Sequence, residues 1–219
     1  MLAAEEVLIS RPSPLMLGTL LLILGASVAV FVALVRRETN RRRAVALAQW
    51  ARSRGLRVAA GPGDLPALAP LKQFNAQTHA AIAGQTVTLA RLETADAGLT
   101  TAAASPRIWN VLLRKLGAPW PTTALRPAAH SVSLVDLFSL SSYPSLMPTQ
   151  RFMIFGSEAR AARALAESEA PALLPPDIAL VLYADHLILD FSGRPFDEIE
   201  FDRLIDLSEQ LTSRLVLAD

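Results

Sequence analysis

The feature that most constrains this chain is an unbroken apolar run, PLMLGTLLLILGASVAVFVALV, from Pro14 to Val35, 22 residues without a charge. As a helix it extends about 33 Å, enough to cross a hydrocarbon core of about 30 Å. A helix buried in a globular core rarely runs so far without a polar face. Ser13 before Pro14 suits an N-cap followed by proline at the first helical position. The sequence therefore predicts a transmembrane helix over 14–35. No Asp, Glu, Lys, Arg or His interrupts the run, so it offers no ion or proton path of its own and reads as an anchor.

The flanks predict its orientation. Arg36, Arg37, Arg41, Arg42 and Arg43 follow the run, whereas Glu5, Glu6 and a single arginine, Arg11, precede it. Basic residues are retained on the cytoplasmic side. Residues 1–13 are thus expected outside a bacterial inner membrane and the long C-terminal part in the cytoplasm. A cleavable signal peptide would carry its basic cluster before a shorter apolar core. The five arginines are the expected contacts for anionic lipid head groups. Within the run, Gly18, Gly25, Ala29 and Ala33 fall within about 80° of one another at helical spacing. Small residues on one stripe let a second helix approach closely, so other integral membrane subunits are the expected partners.

Beyond the arginines, Ala44–Arg54 consists of helix formers and Gly55 is a natural stop. This predicts a basic juxtamembrane helix over 36–55, with Trp50 able to pack on a cytoplasmic domain formed by 56–219. Residues 61–73, punctuated by Gly and Pro, read as a loop. Two strands joined near Gly84 are expected between 79 and 93, and a third over 107–116. Pro119 and Pro121 are expected to break that strand before TTALRP. Residues 94–106 read as a loop, and the Ser- and Pro-rich segment 130–150 carries no clear pattern. RFMIFG at 151–156 reads as a buried strand, followed by a helix from Glu158 to Glu169 capped by Ser157 and stopped by Pro171. IALVLY and LILDFS flank Ala184-Asp185-His186, which predicts a hairpin. Asp197 to Leu217 reads as an amphipathic helix: Asp197 caps it, Glu200 follows three residues later, Phe196 can staple onto Phe201, and Leu204, Leu207, Leu211 and Leu215 form its apolar face. This order predicts an α+β domain, a mostly antiparallel sheet with packed helices.

Several chemistries find no support. The chain has no cysteine, which removes thiolate metal sites and cysteine nucleophiles. His79, His130 and His186 sit far apart and outside any zinc-binding spacing. His130, Ser131 and Asp136 contain the side chains of a triad, but a triad is geometry and this spacing carries none. Glu198, Glu200, Asp202 and Asp206 crowd a helix start, where solvation and the helix dipole account for them. A net charge of +1 speaks against nucleic acid. Charge is nonetheless uneven. Residues 44–157 hold 10 basic against 4 acidic side chains, and residues 158–219 hold 5 against 13. No catalytic residue, cofactor or metal is expected.

The apolar span, the Arg-rich juncture, W-A-R-S-R-G-L at Trp50–Leu56, N-V-L-L at Asn110–Leu113, P-W-P at Pro119–Pro121 and F-M-I-F-G before a helix resemble a loose set of uncharacterised single-span bacterial membrane proteins. The resemblance implies a membrane-tethered α+β domain and brings no catalytic residue or ligand. The expected role is a non-enzymatic accessory subunit of a larger membrane complex, respiratory or photosynthetic assemblies among the hosts. The alternative is a stand-alone tethered module that binds lipid head groups or a small ligand.

Overall fold

The computed structural model describes residues 14–59, 65–94, 106–129, 132–140, 143, 145, 147–148 and 151–215. The chain divides into two compact units, Met1–Ala46 and Leu47–Asp219.

The described residues of the first unit belong to helix α1, which spans Pro14–Ser53, its last residues falling in the second unit. Its described apolar side chains, among them Leu21, Leu22, Leu24, Phe31 and Leu34, are exposed. Among the described residues no helix is long and apolar enough to cross a membrane. The side chains of residues 14–20 and of Ile23, part of the expected span, lie outside the described residues.

The second unit is α+β. Its strands are β1 (Arg57–Val58), β2 (Gln77–Ala83), β3 (Val87–Thr94), β4 (Arg107–Pro127), β5 (Met147–Pro148), β6 (Phe152–Gly156) and β7 (Ala179–Asp190), all in one antiparallel sheet. The helices are α2 (Ala69–Lys72), α3 (Ala159–Glu167), α4 (Ala170–Leu173) and α5 (Glu198–Arg214). The sheet runs β1-β2-β3-β4-β6-β5, with β7 paired to β4. β4 is its spine. Its first half pairs with β3 from Thr94↔Arg107 to Val87↔Arg114, and its second half pairs with β6 from Thr123↔Gly156 to Pro127↔Phe152. β7 lies across β4 from both, from Val111↔Asp190 to Leu125↔Leu180.

Both faces of this sheet are covered, so β4 buries five consecutive residues, Trp109 to Leu113, rather than alternate ones. One face sets Leu112, Leu125, Phe152 and Leu189 against Leu165 of α3 and Phe201, Leu204 and Leu211 of α5. The other sets Val111, Leu113, Val181 and Ile188 beneath Leu68, Leu71, Leu134 and Leu140. The end of α1 belongs to the first layer. Ala51 is fully buried there, and Trp50 lies 5.4 Å from the Phe201 ring while its Nε1 donates to Asp202 Oδ1 at 2.9 Å.

Some sequence expectations change. Residues 178–192 hold one continuous strand, β7, instead of a hairpin at Ala184-Asp185-His186. β4 continues past Pro119 and Pro121 to Pro127. Residues 61–73 are not all loop, because Pro66–Leu68 forms a 3-10 turn and α2 follows. Glu158, not Ser157, occupies the cap position of α3, and Pro171 enters α4 within its first turn, where its missing N–H costs nothing. At α5, Asp197 accepts from Glu200 N at 3.0 Å and the Phe196 and Phe201 rings meet edge-on at 4.6 Å, as the capping pattern predicts. Within 130–150 the described residues include a 3-10 turn at Leu134–Asp136 held by a Ser133–Asp136 capping box. Residues 95–105 and His130 and Ser131 lie outside the described residues.

A polar clip fastens the start of α5 to the sheet. Arg194 grips Asp177 with two hydrogen bonds of 2.6 and 2.7 Å and Glu200 with one of 2.6 Å. These bonds, the Asp177 pair foremost, raise the guanidinium pKa above its ordinary value, so it is charged at every accessible pH. The Arg194 carbonyl accepts from Asn110 Nδ2 at 3.1 Å, which ties the clip to β4. Glu200 is 5% exposed, so removing Arg194 leaves its carboxylate only the longer 3.6 Å pair with exposed Arg203. Arg194→Ala is expected to lower unfolding free energy by roughly 3 kcal/mol in denaturant titration. A second expectation concerns Gly156, where a Cβ would stand 2.9 Å from both Ala162 Cβ and Thr123 Cγ2. Gly156→Ala is expected to cost about 1–3 kcal/mol in the same titration, through overpacking between β6, β4 and α3.

Candidate functional site

The centre of the sheet contains a deliberate irregularity. Between the pairs Lys115↔His186 and Trp120↔Ala184, β4 advances five residues while β7 advances two. Four residues, Leu116-Gly117-Ala118-Pro119, thus stand against one, Asp185, and Gly117 to Pro119 are exposed. The sequence explains why. Pro119 and Pro121 have no N–H to give the ladder, and Gly117 has no side chain to anchor it. Opposite the bulge, Ala184 adopts φ +52°, in the left-handed region that an L-residue enters at a cost of about 1–2 kcal/mol. The turn signal of Ala184-Asp185-His186 is therefore real, and it is expressed as a kink within a strand.

A cavity of about 400 Å³ opens beside this kink. Ala83, Thr88 and Leu113 line it from β2, β3 and β4, and the pairs Ala83↔Thr88 and Thr88↔Leu113 place them on one face. Leu65, Pro66 and Ala67 form an apolar wall, and the β2–β3 turn adds Gln85 and Thr86. Lys115, Asp185 and His186 close one corner. Lys115 Nζ lies 3.9 Å from Asp185 Oδ2. His186 Nδ1 lies 2.7 Å from Asp185 Oδ1, out of line for a hydrogen bond. The corner thus presents a cation, an anion and an imidazole beside apolar walls. Such an arrangement can hold and orient a polar group.

The residues singled out from sequence fall elsewhere. Gly18 lies in α1 among residues whose side chains are not described. Gly25 has no atom within 4 Å of where a Cβ would stand, and Ala29 and Ala33 are exposed. Arg36, Arg37, Arg41, Arg42 and Arg43 are all exposed, Arg42 bonding Glu38 at 2.9 Å. Among the described residues no three metal-capable side chains cluster. His79 pairs with Glu93 on neighbouring strands, and His186 sits at the kink. The acids of α5 have structural duties: Glu200 takes Arg194, and Asp202 takes Trp50 and Arg54. Asp136 caps the turn after Ser133 and pairs with Arg126 at 3.3 Å. The cavity residues were missed because they come from four separated segments. The available signals were the G-A-P-W-P stretch and the Asp-His pair.

No protein family and no curated protein matches the sequence. Among solved structures, the chain is similar to the crystal structure of the mycobacterial trehalose monomycolate transport factor A, TtfA. The two share 12% identity with a TM-score of 0.55, over 81% of this chain and 95% of that one. The likeness is one of fold.

The strain at Ala184 is testable. Ala184→Val is expected to destabilise the chain by at least about 1 kcal/mol, because a β-branched residue resists positive φ. Ala184→Gly is expected to leave stability unchanged or raise it by up to about 1 kcal/mol. Thermal unfolding followed by circular dichroism distinguishes the two.

Proposed function

We propose that this chain is a non-enzymatic, single-span accessory factor of a bacterial membrane assembly that handles lipid. The apolar run Pro14–Val35 crosses the inner membrane, with the N-terminus outside and the globular unit in the cytoplasm. The observation that carries this reading is the distribution of side chains around α1. Leu21, Leu22, Leu24, Val28, Val30, Phe31, Val32, Leu34 and Val35 are all exposed. At about 100° per residue they leave no sector wider than about 80° free of a large apolar group. Such a surface needs lipid or protein around its whole circumference. The five arginines follow the same rule, with no gap wider than about 100°. A helix lying flat on a membrane would gather its basic groups on one side; a collar suits a helix that passes through the head-group layer.

The fold's likeness to a transport factor for trehalose monomycolate supports a lipid-handling host. Gly18, Gly25, Ala29 and Ala33 supply the stripe against which a partner helix packs. A second reading, a stand-alone tethered binding module, is favoured by the cavity beside Lys115 and Asp185.

Two experiments test the proposal. The chain is expected to stay in the membrane pellet after alkaline extraction, and a C-terminal tag is expected to resist protease added to intact cells. A freely soluble chain, or a tag digested from outside, overturns the anchor and its orientation. Gly25→Leu is expected to reduce co-purification with membrane partners at least several-fold without lowering the amount of chain in the membrane. Unchanged recovery of an intact assembly argues against packing through this stripe, and a lone monomer or dimer in mild detergent favours the second reading.

A further inference from the structure

We propose that the cavity at the β4–β7 kink binds the head and first carbons of an uncharged, polyhydroxylated, single-chain amphiphile: a sugar- or glycerol-headed lipid fragment. The inference goes beyond the anchor and does not rest on it. A volume of about 400 Å³ lies within the range of small-molecule sites. At about 30 Å³ for each water-sized group it has room for roughly a dozen heavy atoms. Its surface changes character over a short distance. Leu113 on the apolar floor and Lys115 at the polar corner are two residues apart on one strand, a step of about 7 Å. A ligand that fills both ends must itself be apolar at one end and polar at the other.

The corner selects the kind of head group. Lys115 and Asp185 carry opposite charges, so their sum favours no net ion. A carboxylate or phosphate would face Asp185, and an ammonium group would face Lys115. Neighbouring hydroxyls suit both, accepting from the ammonium and donating to the carboxylate, and Gln85 and Thr86 each offer a donor and an acceptor. Among the described residues no aromatic ring lines the cavity, so they offer a flat base or nicotinamide no surface on which to stack. Strained backbone held at Ala184, next to Asp185, is what a site shaped for binding retains. A second hollow, beside Arg54 and Arg114, is a poorer receptor because Asp202 and Glu209 already hold the two guanidinium groups at 2.9 Å.

The test uses the full chain in zwitterionic nanodiscs, or in buffer if it proves freely soluble. The probe is octyl glucoside carrying a diazirine on the first carbons of its chain. After irradiation, labelled peptides are expected to contain residues 83–88, 113–115 or 185–186. Excess octyl glucoside is expected to compete, and octanoate and free glucose are not. Ala83→Phe, which fills the floor, is expected to cut labelling at least tenfold, and Asp185→Asn several-fold, with the parent near-ultraviolet circular dichroism retained. If Ala83→Phe loses that spectrum, Ala67→Phe on the half-buried wall replaces it. Labelling confined to α1, or unaffected by the filling variants, overturns the site. Equal competition by octanoate overturns the uncharged head. Neither readout depends on membrane attachment, so this inference and the anchor fail separately.

Discussion

The globular unit depends on one constraint: a 21-residue strand, β4, that must pair along its whole length although its middle cannot. Pro119 and Pro121 lack the N–H groups that an antiparallel ladder requires. The chain resolves the conflict by pairing β7 on both sides of the prolines with the register shifted by four residues, Leu116 to Pro119 being left out of the ladder. β3 takes the half before the bulge, β6 takes the half after it, and the cavity borders the kinked region through Lys115, Asp185 and His186.

A covered sheet needs polar links that survive burial, and one group of them gathers around Asn110 and Asp190. Asp190, 6% exposed, accepts from Leu134 N at 2.9 Å and from the Ser192 backbone at 3.0 Å. Ser192 Oγ in turn accepts from Asn110 N at 3.1 Å, and Arg91 reaches Asn110 Oδ1 at 2.9 Å while stacking over Phe196. Together with Arg194 these groups join β3, β4, β7 and the start of α5. The acidic surplus of residues 158–219 is thus partly internal bonding. Asp177, Asp190 and Glu200 are taken up by the fold itself.

The α+β class, the antiparallel β2–β3 pair, the RFMIFG strand and the entrance of α5 were legible because each rests on local chemistry. A cap, a staple and a short apolar run can be read within about ten residues. What was not legible depends on competition between distant segments. Pro119 and Pro121 read as a break, and would be one in an isolated strand, but β7 pairs with β4 on both sides of them from more than fifty residues away. Ala184-Asp185-His186 read as a turn for the same reason: its local preference is honoured in φ and overruled in direction. The burial of Leu112 beside Leu113 was hidden because alternation marks a sheet with one wet face, and this sheet has none along β4. The cavity inherits both difficulties, since the β4 bulge and the β7 kink meet at its corner.

The length of β4 has a consequence for how the protein is made. Its partner β7 is joined to it across 55 residues at Leu125↔Leu180 and 79 at Val111↔Asp190. During synthesis from the N-terminus, the spine is complete while the strand that shields it is still untranslated. Until translation passes Asp190, one long edge stays open to any neighbouring chain, and only Gly117 and its two prolines discourage a stray partner from zipping along it. The same residues that deform the finished sheet therefore act as gatekeepers on the ribosome, and a message cut short before β7 yields a sticky product instead of a smaller working one.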